Sequence, residues 1–427
     1  MATTVDGLVS GMSTSTMISQ LMQIEAAPQT RLKDKVTAAQ SSVTAYQSVN
    51  TKLAALKTAA DDLSQLSTWR SVKPVSSSPA VTATAVSGSL DATAGSITFD
   101  VVALARAQVT TARVPAETLN SATTFAVTVA GADPVDVDIS ADPSPKGIAD
   151  ALNAKGIGVK ASVVTTSTGE SVLQFTGTKT GTAGGFTVSG LDFELKDAVA
   201  AQDALIQVGG ADADGGYSVT SSTNTFTGLM NGVTLTVAKV ESGVTVDAAA
   251  DTGGIADKIK AMVDAANAVL TEVGKQTAYD AATGKGSTLT GDFMVRQISQ
   301  TVLSAVSQGL DDFGSMSRLG VQLDRSGKLT FKKDDFEAAY QADPAKIQTA
   351  GIAMADTFEA LAKKQTDNVT AAVTGRKSII DSMNDQIDNW DLRLSARRDA
   401  LTKQYASLET ALSNLRSQSS YLASQLG

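Results

Sequence analysis

The residue types that most often do chemistry are missing or dispersed. Among 427 residues there is no histidine and no cysteine. That removes the side chain that titrates near neutral pH and the thiolate nucleophile, and with them Ser-His-Asp relays, disulfides and ordinary zinc sites. The 44 acidic residues are scattered over strand-like and turn-like segments, with no pair that spacing alone would bring together for acid–base work. Gly284-Lys285-Gly286-Ser287-Thr288 has the residue types of a phosphate loop but lacks the four-residue gap before Gly-Lys-Ser/Thr, so it reads as a turn. Asp212, Asp214 and Gly216 could open a calcium loop, but Thr223 stands where the bidentate glutamate belongs, so an exposed loop is expected. Arg397-Arg398 reads as a solvated helix face. No catalytic residue, cofactor or metal is expected. The chain reads as structural rather than enzymatic.

Composition narrows the partners. With 35 basic residues against 44 acidic the net charge is −9, which offers no positive field to a phosphate backbone, so no nucleic acid is expected. Charged residues are 19% and aromatics 4%, with Ala, Ser, Thr and Gly filling the difference. No apolar run approaches ~18 residues, so no membrane insertion is expected. The first basic residue is Arg31 and Met1–Gln20 has no apolar core, so no Sec-type signal peptide is expected. That leaves the cytoplasm, or export by a route that reads a different signal.

Stepping along the chain, hydrophobic spacing changes twice. Residues 1–67 and 255–427 have helical spacing, whereas 71–250 alternate with period two, so β domains are inserted between helical ends. A first helix is expected over Thr14–Ala26, ending near Pro28. A second carries a heptad seam through Leu32, Val36, Ala39, Val43, Tyr46 and Leu53, continued by Leu56, Ala60 and Leu63. Strands are expected at Ile97–Val101, Val135–Ile139 and Val233–Val237, with Asn231-Gly232 as a type I′ turn before the last. One helix interrupts them, capped by Ser144, started by Pro145 and ended by Gly156, with Ile148 and Leu152 facing inward. Further helices carry Ile255 to Val273 and Val295 to Val306. A hairpin is expected over Leu319–Phe331, turning at Asp324–Gly327, and helix from about Ala353 to the end.

The strongest signal lies in that last helix. Ile380, Ile387, Leu394, Leu401, Leu408, Leu415 and Leu422 recur every seven residues. Met383 and Trp390 flank the row three residues on, whereas Tyr405, Leu412 and Leu426 flank it four residues on. The companion stripe therefore changes side near Arg397-Arg398. The two ends of the chain need a partner, either each other or another protein, because a lone helix of this kind is marginal.

Asp6-Gly7-Leu8-Val9-Ser10-Gly11-Met12, then Leu21-Met22, Glu25 and Pro28, resemble the opening of the flagellar filament cap proteins, the flagellar hook-associated protein 2 family. Gly95 to Gln108, Ala201 to Ile206 and Asn224 to Val237 are similar to that family's inner strands. Tyr279-Asp280, Leu289 to Asp292, Leu319 to Val321 and Gly327 to Leu329 are similar to its helical segment, and Leu401–Leu426 to its C-terminus. The likeness is weakest over 112–190.

The resemblance implies an α+β multidomain fold: terminal α-helical coiled-coil legs and a helical bundle with inserted β-rich domains. It implies an N-terminal leg and export signal over 1–40, disordered in the monomer, and a helical leg domain from 41–70 with 251–400. It implies an inner β domain of the cap plate from 71–111 with 191–250, an outer β module over 112–190, and a C-terminal leg over 401–427. It further implies export through the flagellar type III channel to the extracellular filament tip. There the chain assembles with itself into a ring, pentameric in better known relatives, beneath which flagellin folds before insertion. By match of position Leu401, Tyr405, Leu408, Leu412, Leu415 and Leu422 would dock on the filament or an export chaperone. Leu8, Leu21 and Met22 would form the paired N-terminal leg, and Leu32, Val36, Val43, Ile380, Ile387 and Leu394 would pack the leg helices. The outer module can meet a host glycan or mucin. Two other readings stay open: another axial flagellar protein, flagellin or junction type, and a surface adhesin with glycan-binding β domains.

Overall fold

A computed structural model describes residues 13–115, 119–166, 170–210 and 214–426. The chain divides into two compact units, residues 1–64 with 256–427, and residues 65–255. Helices α1 (Thr14–Glu25) and α2 (Ala27–Ser64) lead into α3 (Leu66–Trp69). Strands follow as β1 (Val72–Ser76), β2 (Val81–Ala85), β3 (Gly95–Ala103), β4 (Val109–Pro115), β5 (Thr124–Val129) and β6 (Val135–Asp138). After α4 (Pro145–Lys155) come β7 (Val159–Thr165), β8 (Glu170–Gly177), β9 (Phe186–Ser189), β10 (Leu195–Val199) and β11 (Ala204–Val208). The second unit closes with β12 (Tyr217–Ser221), β13 (Thr225–Met230), β14 (Val233–Val237) and β15 (Glu241–Ala250). The remainder is α5 (Thr252–Thr277), β16 (Tyr279–Asp280), β17 (Lys285–Gly286), α6 (Phe293–Gln308), β18 (Val321–Leu323), β19 (Leu329–Phe331), α7 (Lys333–Ala342) and α8 (Pro344–Leu426).

The helical unit is built on the heptad rows. On α2 Val36, Val43, Tyr46, Val49, Leu53, Leu56 and Leu63 are buried; on α8 so are Met354, Phe358, Val369, Val373, Ile380 and Ile387. Ile259, Met262, Ala266, Val269 and Val273 of α5, and Val295, Ile298 and Val302 of α6, complete the apolar interior. Pro28 in the first turn of α2 cannot donate to the preceding turn, and its ring crowds the carbonyl four residues back, so the helix breaks at Ala26. α2 crosses position 40 and α8 crosses position 400 without interruption, so neither expected leg boundary is a break in secondary structure. α8 starts at Pro344, before the expected Ala353, because Asp343 accepts the Lys346 amide at 3.1 Å and proline suits a first turn. Leu319 ends a 3₁₀ turn instead of opening the hairpin. The Asp324 carboxylate closes the β18–β19 turn on the amides of Ser326 and Lys328.

The second unit holds two β modules with separate cores. The inner pairs sheets β1-β15-β3-β11-β12 and β13-β14-β2 around Phe99, Val101, Ile206, Leu235 and Val246. The outer pairs β10-β4-β8-β7 with β6-β5-β9 and α4 around Phe125, Val137, Ile148, Leu152, Leu173 and Phe175. α4 has the expected ends: Ser144 Oγ accepts the Gly147 amide at 3.1 Å, and Gly156 is left-handed at φ +65°. The outer module is wider than 112–190, because β4 and β10 pair in its sheet. The inward residues of β4 include Thr110, and β10 carries Lys196 and Asp197, so neither strand has an apolar stripe to announce it. Asn231-Gly232 does connect β13 to β14, but only Gly232 has positive φ (+73°), so the turn is not type I′.

Candidate functional site

The long antiparallel track along α8 is the feature most able to meet a partner. Met17 meets Tyr405, Glu25 meets Arg397, Gln29 meets Asp391, Tyr46 meets Arg376 and Asn50 meets Thr370. Each pair of numbers sums to 420 or 422, so α1 resumes the register of α2 after the break at Ala26. The hand-over falls opposite Ala396, beside Arg397-Arg398, where the companion stripe of α8 changes side. The changed spacing in the sequence thus reflects a change of partner helix from α2 to α1.

Below the hand-over the track is tied by polar groups. Gln29, 5% exposed, donates to the Asp391 carboxylate at 2.6 Å and to the Ile387 carbonyl at 3.3 Å. Gln29 and Asn50 occupy the same heptad row as Val36 and Val43. A polar residue in such a row sets register, and that was the sequence signal for these contacts. The Tyr46 hydroxyl donates to Asp292, and Arg376 donates to Tyr46 at 3.2 Å with its guanidinium 5.1 Å over the ring. Burial first, and then the Asp292 carboxylate, push the Tyr46 hydroxyl above its ordinary pKa. Asp292 also caps α6 through the Val295 amide at 3.1 Å, so one carboxylate joins α2, α6 and α8. Nothing in the spacing of 46, 292 and 376 foretells this.

Above the hand-over, Ile18, Met22 and Leu401 form a small buried cluster with Leu394 and Tyr405 packed against it. Glu25 and Arg397 close its edge at 2.9 Å, so Arg397 is ion-paired rather than merely solvated. Leu21 faces outward at 39% exposure, and Leu8 lies outside the described residues. Leu32 and Leu394 are half-buried, whereas Val36, Val43, Ile380 and Ile387 are buried. Beyond Tyr405 the seam opens: Leu412 is half-buried, and Leu408, Leu415, Tyr421 and Leu422 are 46%, 61%, 63% and 58% exposed. At 1.5 Å per residue, Leu408 to Leu422 is an apolar stripe about 21 Å long. Ser417, Gln418, Tyr421 and Leu422 share one exposed face of α8.

Among the described residues no acidic cluster could hold a metal ion, and no helix is long and apolar enough to cross a membrane. Gly284–Thr288 lies in the β16–β17 turn region, not at a helix N-terminus. Asp214 and Gly216 border residues 211–213, outside the description, so the calcium-loop reading falls partly there.

Three family models match the chain. Flagellar hook-associated protein 2 C-terminus covers residues 201–417, its N-terminus counterpart 10–108, and the flagellin hook IN motif 124–179. Flagellar hook-associated protein 2 of Escherichia coli K12 is 26% identical, over 98% of this chain and 97% of that protein. The lateral flagellar hook-associated protein 2 of Vibrio parahaemolyticus is 27% identical over 64% of this chain, and the match spans 65% of that protein's length. Among solved structures, the D1-D2-D3 domains of the flagellar cap protein FliD from Escherichia coli are similar, with 25% identity and a TM-score of 0.63. That match covers 78% of this chain and 99% of the other. The α+β multidomain architecture is thus shared with that structure, and the C-terminal model alone spans half of the sequence: the chain belongs to the flagellar hook-associated protein 2 family.

Proposed function

We propose that this protein caps the distal end of a bacterial flagellar filament as a structural part, not a catalyst. Its relatives carry that family name, and the similar solved structure is that of a flagellar cap protein. The observation that carries the reading is the open seam, because the heptad row that is buried at Ile380, Ile387 and Leu401 continues as an exposed apolar stripe at Leu408, Leu415 and Leu422, which calls for a partner. On this reading the terminal legs, 1–40 and 401–427, enter the filament end. Leu408, Leu412, Leu415 and Leu422 meet flagellin there, and an export chaperone beforehand. Leu401, Tyr405 and Met22 hold the two legs together, with Leu8 and Leu21 on the N-terminal one. The inner β domain forms the plate of a ring-shaped homo-oligomer, a pentamer, and the outer β module meets a host glycan or mucin. The protein acts outside the cell at the filament tip, after type III export.

Leu408→Asp, Leu415→Asp and Leu422→Asp together, in cells lacking the native protein, test this. The expected result is export of the variant and flagellin shed into the medium, with short or absent filaments. Normal-length filaments tipped by the variant would overturn the reading. Recovery of the variant from the medium separates a docking defect from an export defect.

A further inference from the structure

The two β modules are joined by two strand crossings, Leu104–Gln108 between β3 and β4, and Ala200–Asp203 between β10 and β11. Such a neck would bend freely if nothing else crossed it. The crossings hold each other through a reciprocal backbone pair: the Arg106 amide donates to Gln202 at 2.8 Å and the Gln202 amide donates back at 3.2 Å. Asn224 of the inner module fixes one of them, its Oδ1 accepting the Ala105 amide at 2.7 Å.

A third strap comes from a segment with no connecting duty. Between β8 and β9, residues Lys179–Gly185 of the outer module leave their own sheet and rest on both crossings and on Ser222 of the inner module. The Gly181 amide donates to the Arg106 carbonyl at 3.1 Å. The Thr182 amide donates to Asp203 Oδ1 at 2.7 Å, and its hydroxyl donates to Oδ2 at 3.0 Å, so both carboxylate oxygens hold one residue. The Thr180 hydroxyl donates to the Ser222 carbonyl at 2.7 Å. Gly181 has φ +84°, and a Cβ there would lie 2.6 Å from both Asp203 Oδ1 and the Ser222 Cα. Only glycine permits that approach.

We propose that Lys179–Gly185 is a clasp that locks the outer β module to the inner one, with Asp203 as the closing group, so that the two turn as one rigid body. A carboxylate accepting two donors from one residue is directional, and charge-assisted bonds of this kind are stronger than neutral ones. Force on the outer module is then carried into the inner sheet instead of being absorbed by the neck. The inference concerns the single chain and is independent of the capping role.

The chain has no cysteine, so a pair introduced at exposed Lys160 and Thr227, one in each module, labels cleanly with nitroxides. Pulsed electron spin measurements on full-length protein, diluted tenfold with unlabelled chain to suppress distances between copies, read the separation. The clasped parent should show one narrow distance distribution. Asp203→Ala should broaden it at least about twofold, and Gly181→Val should do so through the wedge of its side chain. Near-ultraviolet circular dichroism reports whether both modules stay folded. If Gly181→Val unfolds, the milder change Asp203→Ala decides. A parent distribution already broad, or an Asp203→Ala distribution that superposes on the parent, would overturn the proposal.

Discussion

Leu401→Ala tests how α1 is held. Leu401 is 7% exposed and shares its cluster with Ile18 and Met22, at 9% and 8%. Truncating a leucine in a deep core costs about 2–5 kcal/mol. This cluster has only three buried members, and Leu394 and Tyr405 at its margin are half-buried and can close over the gap. The low end applies, about 2 kcal/mol, which is about a 30-fold increase in the undocked state at ~1.4 kcal/mol per tenfold. α1 has 12 residues, and a helix that short is marginal once it leaves its partner. Undocking should therefore appear as melting of α1 alone. Hydrogen exchange should show amides 18–24 exchanging about 30-fold faster, with amides 49–56 in the buried core of α2 remaining the more protected set. Unchanged α1 exchange would refute the assignment of the cluster as the holding contact. Protection of amides 18–24 equal to that of amides 49–56 would refute the separation of α1 undocking from global unfolding.

Tyr46→Phe removes the hydroxyl that donates to Asp292 and accepts from Arg376, and should lower stability by about 1–3 kcal/mol in denaturant titration. Gly232→Ala should destabilise more than Gly228→Ala in the same assay. Both glycines are left-handed, at φ +73° and +89°, but a Cβ at 232 lies 2.4 Å from Ala92 Cβ, whereas at 228 it meets open space. The Gln276 amide, and then the Ser48 hydroxyl, hold the Glu272 carboxyl below its ordinary 4.5. A depressed carboxylate stabilises the fold above its unfolded value and loses that contribution as pH falls through the folded one. Stability should therefore fall as pH drops below about 4.5, and Glu272→Gln should flatten that part of the profile.

Much of the fold was legible because it rests on local rules. The seven-residue rows marked α2 and α8, and Ser144, Pro145 and Gly156 marked the ends of α4 to the residue. Legibility failed where long-range pairing decides. β4 and β10 join the outer sheet through backbone bonds that Thr110, Lys196 and Asp197 do not advertise. The node of Tyr46, Asp292 and Arg376 brings together residues up to 330 positions apart. The apolar stripe of the terminal helix was readable as a stripe. What separates Leu401 from Leu408 was not, since both occupy one heptad row, yet Leu401 packs on Ile18 and Met22 of α1 whereas Leu408 is 46% exposed.

The chemistry around the open half of that row bears on how a partner could use it. From Ile380 to Ala400 there are eight charged residues; from Leu401 to Leu426 there are three. In place of the charges stand hydroxyls that bond to their own helix: Thr402 to the Arg398 carbonyl, Ser407 to Lys403 and Thr410 to Ala406, each at 2.9 Å. A hydroxyl satisfied four residues back gives up little when its face is covered and needs nothing new when it is uncovered. Burying a charge costs far more unless a fixed partner is supplied in the right place. A surface of leucines and self-satisfied hydroxyls therefore binds through apolar area alone. It can be covered, released and covered again by partners that differ in sequence, so long as each presents an apolar stripe of similar length. That is what the proposed docking of this helix at a filament end would require.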